Sequence, residues 1–162
     1  MSGFGKFIAA FVVALVTVAG SQGAGAQTLH GSLKGVRVLD PLIEQLDADN
    51  ATCGIALDGL YAAIQAGVKD AGFKIGDSDY TLYLRVSTLP QRGDCFSSVD
   101  MKVYSYAKLV TPNYPKGNQA KLSLWDNGTI LVSARNRHAG DVGDLVTGFL
   151  RDLAHDWKQD NS

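Results

Sequence analysis

The sequence predicts an α+β fold: a two-layer sandwich of a mixed, mostly antiparallel sheet of about five strands with two helices packed on one face. Polar and apolar residues alternate from Tyr80 to Arg135, a period of two that is typical of strands with one buried face. Two other segments carry apolar residues at helical spacing. A strand, a helix and a strand in succession normally form a parallel crossover. The expected element order is β-α-β-β-β-β-α.

The N-terminal segment resembles an export signal. A short region ending at Lys6 precedes the apolar run Phe7–Ala19, and Ala24-Gly25-Ala26 supplies a small-residue cleavage pattern. The apolar run is shorter than the roughly 20 residues that a membrane-spanning helix needs. We therefore expect residues 1–26 to be a cleaved secretory signal peptide. Residues 27–162 then form a single domain, flexible over residues 27–33, in the periplasm or outside the cell.

A short strand and a helix are expected at the start of the domain. The strand covers Lys34–Leu39 and ends at Pro41, which cannot donate a hydrogen bond to a sheet. Asn50 or Thr52 is expected to cap the first helix, which runs to about Ala71.

Glycine marks the end of the first helix. Gly72 can adopt a left-handed conformation without steric cost, and Phe73 is expected to fold back onto Val68.

Four strands are expected to follow as an antiparallel meander. They cover Tyr80–Leu89, Val99–Leu109, Ala120–Trp125 and Thr129–Arg135. Asp126-Asn127-Gly128 predicts a hairpin turn between the last two. The longer connections are residues 90–98 and residues 111–119, and the second, with two prolines and a glycine, is the expected mobile loop.

The last helix is expected to span about Asp141–Lys158, after a loop over Asn136–Gly140. Asp141 and Asp144 suit the positive end of its dipole. Its apolar stripe consists of Val142, Leu145, Val146, Phe149, Leu153 and Trp157.

The two cysteines, Cys53 and Cys95, predict one disulfide, because an even cysteine count in an exported chain indicates a disulfide framework. The parallel crossover places the start of the first helix and the end of the Tyr80–Leu89 strand at the same edge of the sheet, which agrees with that pairing. A redox or metal site is the alternative, but the pair has neither the spacing nor a nearby histidine.

No motif for catalysis, phosphate binding or metal binding stands out. The nucleophile elbow and the glycine-rich phosphate loop are absent. Asp47-Ala48-Asp49-Asn50 begins like a calcium loop but lacks its next ligand, so a solvated turn is expected. His138 is interpreted as a surface-loop histidine. We therefore expect no enzyme activity, cofactor or metal.

Alternation assigns the two faces of the sheet. The expected core face carries Leu82, Leu84, Val86, Val99, Met101, Val103, Leu122, Leu124, Ile130 and Val132. The other face is the candidate binding surface and carries Tyr83, Arg85, Lys102, Tyr104, Tyr106, Lys108, Lys121, Trp125 and Arg135, together with Leu131. Asp100 is the one acid assigned to it, which leaves a local excess of four cations. A merely solvated face and a face covered by another element are the alternatives.

The formal net charge of −1 argues neither for nor against a polyanionic partner, so function rests on local features. The expected function is that of an exported, non-enzymatic binding or envelope-assembly accessory module that uses the open face. The alternative is a small-ligand or lipid carrier with a cavity between helices and sheet, and a small hydrolase is the third possibility. The expected partner is an envelope protein or an anionic lipid or glycan surface. Neither nucleic acid nor a transmembrane span after cleavage is expected.

The predicted order of elements is similar to that of small periplasmic accessory modules. Examples are the N-terminal domain of the Tol–Pal propeller protein and the auxiliary lipoproteins of envelope lipid transporters. The likeness extends to element order alone, which does not determine function.

Overall fold

The fold is described by a computed structural model over residues 33–111 and 114–162, with side chains described outside residues 109–118. The predicted signal peptide and residues 27–32 lie outside the described residues. The predicted α+β fold is confirmed, because the described residues form three helices that pack on a mixed five-stranded sheet.

The sheet has the strand order β2-β1-β3-β4-β5. The strands are β1 (Val38–Ile43), β2 (Lys74–Ile75), β3 (Tyr80–Gln91), β4 (Asp94–Thr111) and β5 (Tyr114–Ala134). β1 runs parallel to β2 and β3, as the predicted crossover requires, and β3, β4 and β5 are antiparallel neighbours.

The predicted end of the first strand is wrong, because Pro41 lies inside β1. It pairs with Leu82 of β3. The Glu44 amide donates to the Leu84 carbonyl and the Leu39 carbonyl accepts from Gly76, so the odd-numbered residues of β1 direct their backbone groups away from β3. The backbone nitrogen of Pro41 therefore points toward the β2 side of β1. β2 pairs only with Val38 and Leu39, so no strand lies there to accept a hydrogen bond from position 41. A proline is tolerated at such an edge.

The predicted first helix is two helices, α1 (Ala48–Thr52) and α2 (Leu57–Asp70). Gly54 breaks the chain between them with a φ of 76°. The cap of α1 is Asp47, whose side chain accepts from the amides of Asp49 and Asn50. The Asn50 Oδ1 accepts a hydrogen bond from the Asp47 amide and completes a capping box. The segment that begins like a calcium loop is thus the N-terminal turn of a helix.

The C-terminal end of α2 is as predicted. Gly72 has a φ of 89°, and the Phe73 amide donates to the Val68 carbonyl across 3.1 Å. Phe73 and Val68 both belong to the buried core. The end of α2 is therefore held by a backbone hydrogen bond and by burial of the two side chains.

The two hairpins of the meander differ from the prediction. β3 and β4 are joined by the tight turn Arg92-Gly93, with φ values of 47° and 100°, instead of a long loop. Positive φ at both positions is the geometry that matches strand twist. The predicted mobile loop at residues 111–119 is mostly strand, since Tyr114 pairs with Thr111.

β5 passes through Asp126-Asn127-Gly128 without a turn, so the predicted hairpin there is wrong. Gly128 lies opposite Asp100, and a Cβ at Gly128 would be 2.8 Å from the Asp100 carboxylate. The glycine therefore serves a close cross-strand approach.

A bulge at Leu124 changes which residues of β5 face the helices. Trp125 pairs with Val103 whereas Ser123 pairs with Tyr104, so one extra residue lies between the two pairs. Beyond the bulge, the odd-numbered residues of β5 point to the helix side. The core assignment of Ile130 and Val132 was consequently wrong.

The last helix, α3 (Arg135–Asp160), starts directly after β5, so the predicted loop over Asn136–Gly140 is helical. Its predicted apolar stripe packs into or against the core. Trp157 stacks on Phe73 with ring centroids 5.0 Å apart and donates to the Val36 carbonyl. No helix among the described residues is long and apolar enough to cross a membrane.

The predicted disulfide is confirmed. Cys53, immediately after α1, is bonded to Cys95 of β4, and their Cα atoms are 6.1 Å apart. The bond ties the helical layer to the hairpin end of the sheet.

Candidate functional site

Seven of the nine predicted binding residues share the open face, defined here as the sheet face turned away from the helices. Cross-strand pairs place Tyr83 beside Lys102 and Tyr106 beside Lys121. The seven are Tyr83, Arg85, Lys102, Tyr104, Tyr106, Lys108 and Lys121. The buried neighbours Leu82, Leu84, Met101 and Val103 alternate with them and point to the helices.

The other two predicted residues do not belong to the open face. Trp125 points into the core, where it is 4% exposed and its indole Nε1 donates to Asp156 of α3 across 2.9 Å. The bulge at Leu124 turns the Trp125 side chain to the helix side, whereas regular alternation would place it on the open face. Arg135 is the first residue of α3 instead of the last residue of a strand.

The predicted excess of four cations is also wrong. Lys102 pairs with Asp126, and Glu44 reaches Tyr83 and Arg85, so two more acids join Asp100 on the open face. With Arg135 removed from the face, at least three acids accompany the four remaining cations. The face as a whole is close to electrically balanced, and any anion site on it must be local.

Three tyrosines and one lysine on this face are joined by ring contacts and are here called the tyrosine–lysine cluster: Tyr83, Tyr104, Tyr106 and Lys121. The Lys121 Nζ lies 3.5 Å from the ring centroid of Tyr104 and 5.4 Å from that of Tyr83. Tyr104 meets Tyr106 edge-on at 5.7 Å and Tyr83 at 6.3 Å. Such contacts hold a cation in place over ring faces.

Glu44 anchors one side of this cluster. Its carboxylate accepts a hydrogen bond from the Tyr83 hydroxyl and lies 3.6 Å from the Arg85 Nε. The hydrogen bond to Glu44, followed by burial, raises the pKa of the Tyr83 phenol. Tyr83 is therefore a neutral donor at physiological pH, and the charge of Arg85 is partly engaged within the protein.

The other end of the open face is apolar, and sequence analysis missed it. Four side chains form this apolar end: Leu89, Phe96, Ile130 and Val132. Leu89 pairs with Phe96, and Phe96 pairs with Val132. Ile130 is 73% exposed and Val132 is 50% exposed. Contiguous exposed apolar residues mark interaction sites more often than single ones do.

A buried polar network lies on the opposite face, next to the disulfide, and corrects the interpretation of His138. This histidine is fully buried in α3, not in a surface loop. Its Nε2 is 2.8 Å from the Ser97 hydroxyl and its Nδ1 is 2.8 Å from the Ser133 hydroxyl. Ser97 in turn bonds Thr88, which accepts from Asn50.

Only the first hydrogen bond of this network has a fixed direction, because the Asn50 amide nitrogen donates to the Thr88 hydroxyl. The hydroxyls of Thr88, Ser97 and Ser133 can each donate or accept toward the next partner. Burial lowers the pKa of His138, against an opposing effect of the Asp141 carboxylate. The network joins α1, β3, β4, β5 and α3, and its burial gives it a structural role.

Metal binding has no visible site in the part of the chain that the structure describes. No group of three or more histidine, cysteine, aspartate or glutamate residues converges there.

Comparison with known proteins finds distant structural likeness only. No protein-family model matches the chain, and no curated protein matches it. A minor lipoprotein from Acinetobacter baumannii is 7% identical, with a TM-score of 0.40 over 74% of this chain and 88% of its own. Lipoprotein GNA1162 from Neisseria meningitidis is 18% identical, with a TM-score of 0.36 over 74% of this chain and 99% of its own. Both TM-scores are below 0.5, so neither likeness carries an argument about function.

Proposed function

We propose that the protein is an exported, non-enzymatic accessory module that binds an anionic partner of the cell envelope at the tyrosine–lysine cluster. The observation that carries this proposal is the position of Lys121, whose ammonium group lies 3.5 Å from the ring centroid of Tyr104 on the open face. Export rests on the sequence of the N-terminal segment alone.

The cluster offers a cation that loses little freedom on binding. A free lysine side chain loses up to about 2 kcal/mol of conformational entropy when it is immobilised, whereas Lys121 is already held by two rings. Tyr106 is 56% exposed beside it, which leaves a ring edge and a hydroxyl group for the same ligand. A carboxylate or phosphate would therefore meet one fixed cation and the exposed hydroxyl of Tyr106.

Binding to anionic vesicles tests this proposal. The oxidised protein is sedimented with vesicles of phosphatidylglycerol and, separately, of phosphatidylcholine, at low and at physiological salt. We expect binding to the anionic vesicles that weakens as salt rises, because exposed charges are screened over about 8 Å at physiological ionic strength. An envelope extract is then passed over the immobilised protein, and the retained material is analysed for a glycan or an acidic protein.

The critical variant is Lys121→Glu, and the matched control is Lys69→Glu on α2. Both lysines are exposed and both changes alter the net charge equally, but only Lys121 lies on the open face. We expect Lys121→Glu alone to lose the ligand. If the two variants lose binding equally, net charge and not the cluster is responsible, and the proposal fails.

A carrier of small apolar ligands is the second candidate, and one cleft favours it. The cleft lies between the end of β1 and the α1–α2 segment, with an approximate volume of 590 Å³. Its apolar lining includes Ile43, Leu46, Ile55 and Leu57. Co-purified lipid in a native mass spectrum, lost in Ile55→Asp but not in Lys121→Glu, would favour the carrier.

A further inference from the structure

The outer edge of β5 is a long strand edge that no described strand covers. β5 is the last strand in the sheet order, and in residues 33–111 and 114–162 only β4 pairs with it. The eight residues Asn127–Ala134 contain no charge and no proline. Natural proteins usually protect such an edge with charges, prolines or bulges, because an open edge accepts another strand.

The backbone groups that point outward can be identified. The Arg135 amide donates to the Gly93 carbonyl of the hairpin turn across 2.9 Å. Since successive residues of a strand direct their backbone groups to opposite sides, odd-numbered residues of this segment bond β4. The outward groups belong to Gly128, Ile130, Val132 and Ala134, so the two most exposed apolar residues of β5 also present its open hydrogen-bonding groups.

The segment is nearly the same when read in either direction. Around Leu131, the aliphatic β-branched residues Ile130 and Val132 are symmetric, as are the hydroxyl residues Thr129 and Ser133. Two copies paired antiparallel with Leu131 on the twofold axis would place Ile130 opposite Val132 of the second copy. β-branched aliphatic pairs of this kind stabilise antiparallel neighbours.

The charges at the two ends of the segment fit the same arrangement. Asp126 precedes the uncharged residues and Arg135 follows them, and both are exposed. In the antiparallel pairing centred on Leu131, Asp126 of each copy and Arg135 of the other lie at the same end of the interface, on opposite faces of the sheet. A parallel pairing would instead place like charges together.

We propose that β5 pairs antiparallel with β5 of a second copy of this chain, centred on Leu131, to give one continuous ten-stranded sheet. The twofold-related pairs are Gly128 with Ala134 and Ile130 with Val132, each formed twice, for about eight backbone hydrogen bonds. The interface is isologous and closes as a dimer. It also joins the apolar ends of the two open faces into one surface.

Sedimentation velocity of the oxidised protein over a range of concentrations tests the dimer. The variant Ile130→Lys/Val132→Lys places like charges opposite each other across the axis, a juxtaposition that strongly disfavours association. We expect its dissociation constant to rise at least about 100-fold relative to wild type. The matched control is Leu89→Lys, which is 60% exposed on the same face but lies on β3, away from the edge.

Amide exchange checks the register: the Ile130 and Val132 amides should exchange more slowly in the dimer, whereas the Leu131 amide is already bonded to β4. Melting temperatures of all variants, measured on the monomer, should match wild type, because the changed side chains are solvent-facing.

Three results would overturn the proposal. The first is a wild-type protein that stays monomeric at the highest concentration reached. The second is a dimer as strong in Ile130→Lys/Val132→Lys as in wild type. The third is a dimer in which the Ile130 and Val132 amides exchange as fast as in the monomer.

Discussion

The covered and open faces of the sheet are built from the same alternating strands but hold their side chains differently. On β3, Leu84 is fully buried under the helices, whereas Leu89 is 60% exposed on the other side. The covered face also contains a hydrogen-bonded polar network around His138, while the open face arranges its polar groups around tyrosine rings. The difference teaches that hydrophobicity alone does not assign a residue to the core. A leucine on this sheet is buried only where helices pack on its face.

The largest difference between the faces should appear in paired leucine truncations on β3. Leu84→Ala removes a fully buried side chain and should lower the free energy of unfolding by about 2–5 kcal/mol. Leu89→Ala removes an exposed one and should cost less than about 0.5 kcal/mol. Denaturant unfolding measures both. Similar costs for the two variants would mean that the open face is covered in solution.

A smaller effect is expected at His138, where the covered face holds a titratable group. Its folded pKa is lowered by burial, below an unfolded value of about 6.5. Protonation therefore favours the unfolded chain: the contribution to stability is complete above about pH 6.5 and is lost as pH falls through the folded pKa. Unfolding free energies between about pH 7.5 and about pH 5 measure this loss.

His138→Gln should remove this pH-dependent component and cost about 1–3 kcal/mol at neutral pH, because part of a buried network loses its partner. His155→Gln is the matched control, since His155 is an exposed histidine on the same helix. An identical pH profile in His138→Gln and wild type would show that His138 does not titrate in this range.

The smallest effect should come from the tyrosine–lysine cluster. Lys121→Ala removes an exposed cation from its rings and should lower stability by about 0.5–1 kcal/mol. Lys102→Ala, on the same face, should cost less, because no ring contact of the described structure involves Lys102. A larger loss for Lys102 than for Lys121 would contradict the geometry of the cluster.

The faces of β3 and β4 were predictable from sequence, because uninterrupted alternation keeps side chains such as Leu84 and Met101 on one side. β5 was not, because the bulge at Leu124 inserts one residue and exchanges the two faces beyond it. No residue at that point distinguishes a bulge from a regular strand. The same single insertion explains why Tyr104 and Lys121 were placed correctly and Trp125 was not.

Other errors have causes that lie in distant parts of the chain. Pro41 is accommodated in β1 because the neighbouring strand β2 is only two residues long. The length of β2 cannot be read from the sequence around the proline. His138 looked like a loop residue between Asn136 and Gly140. Its partners Ser97 and Ser133 lie on two different strands, β4 and β5, and Ser97 is distant from His138 in sequence. The sequence around His138 therefore does not predict its buried hydrogen bonds.

The direct junction of β5 and α3, with no loop between Ala134 and Arg135, has a consequence for alternative pairings of β5. A slip of two residues against β4 would preserve which side chains face the helices, and a strand alone tolerates it. If α3 kept its starting residue, the whole helix would move by about 6–7 Å. If it kept its starting place, its buried stripe would rotate by about 200°. Either change would remove Phe149 and Leu150 from the core. The packing of α3 therefore permits only one register of β5 against β4.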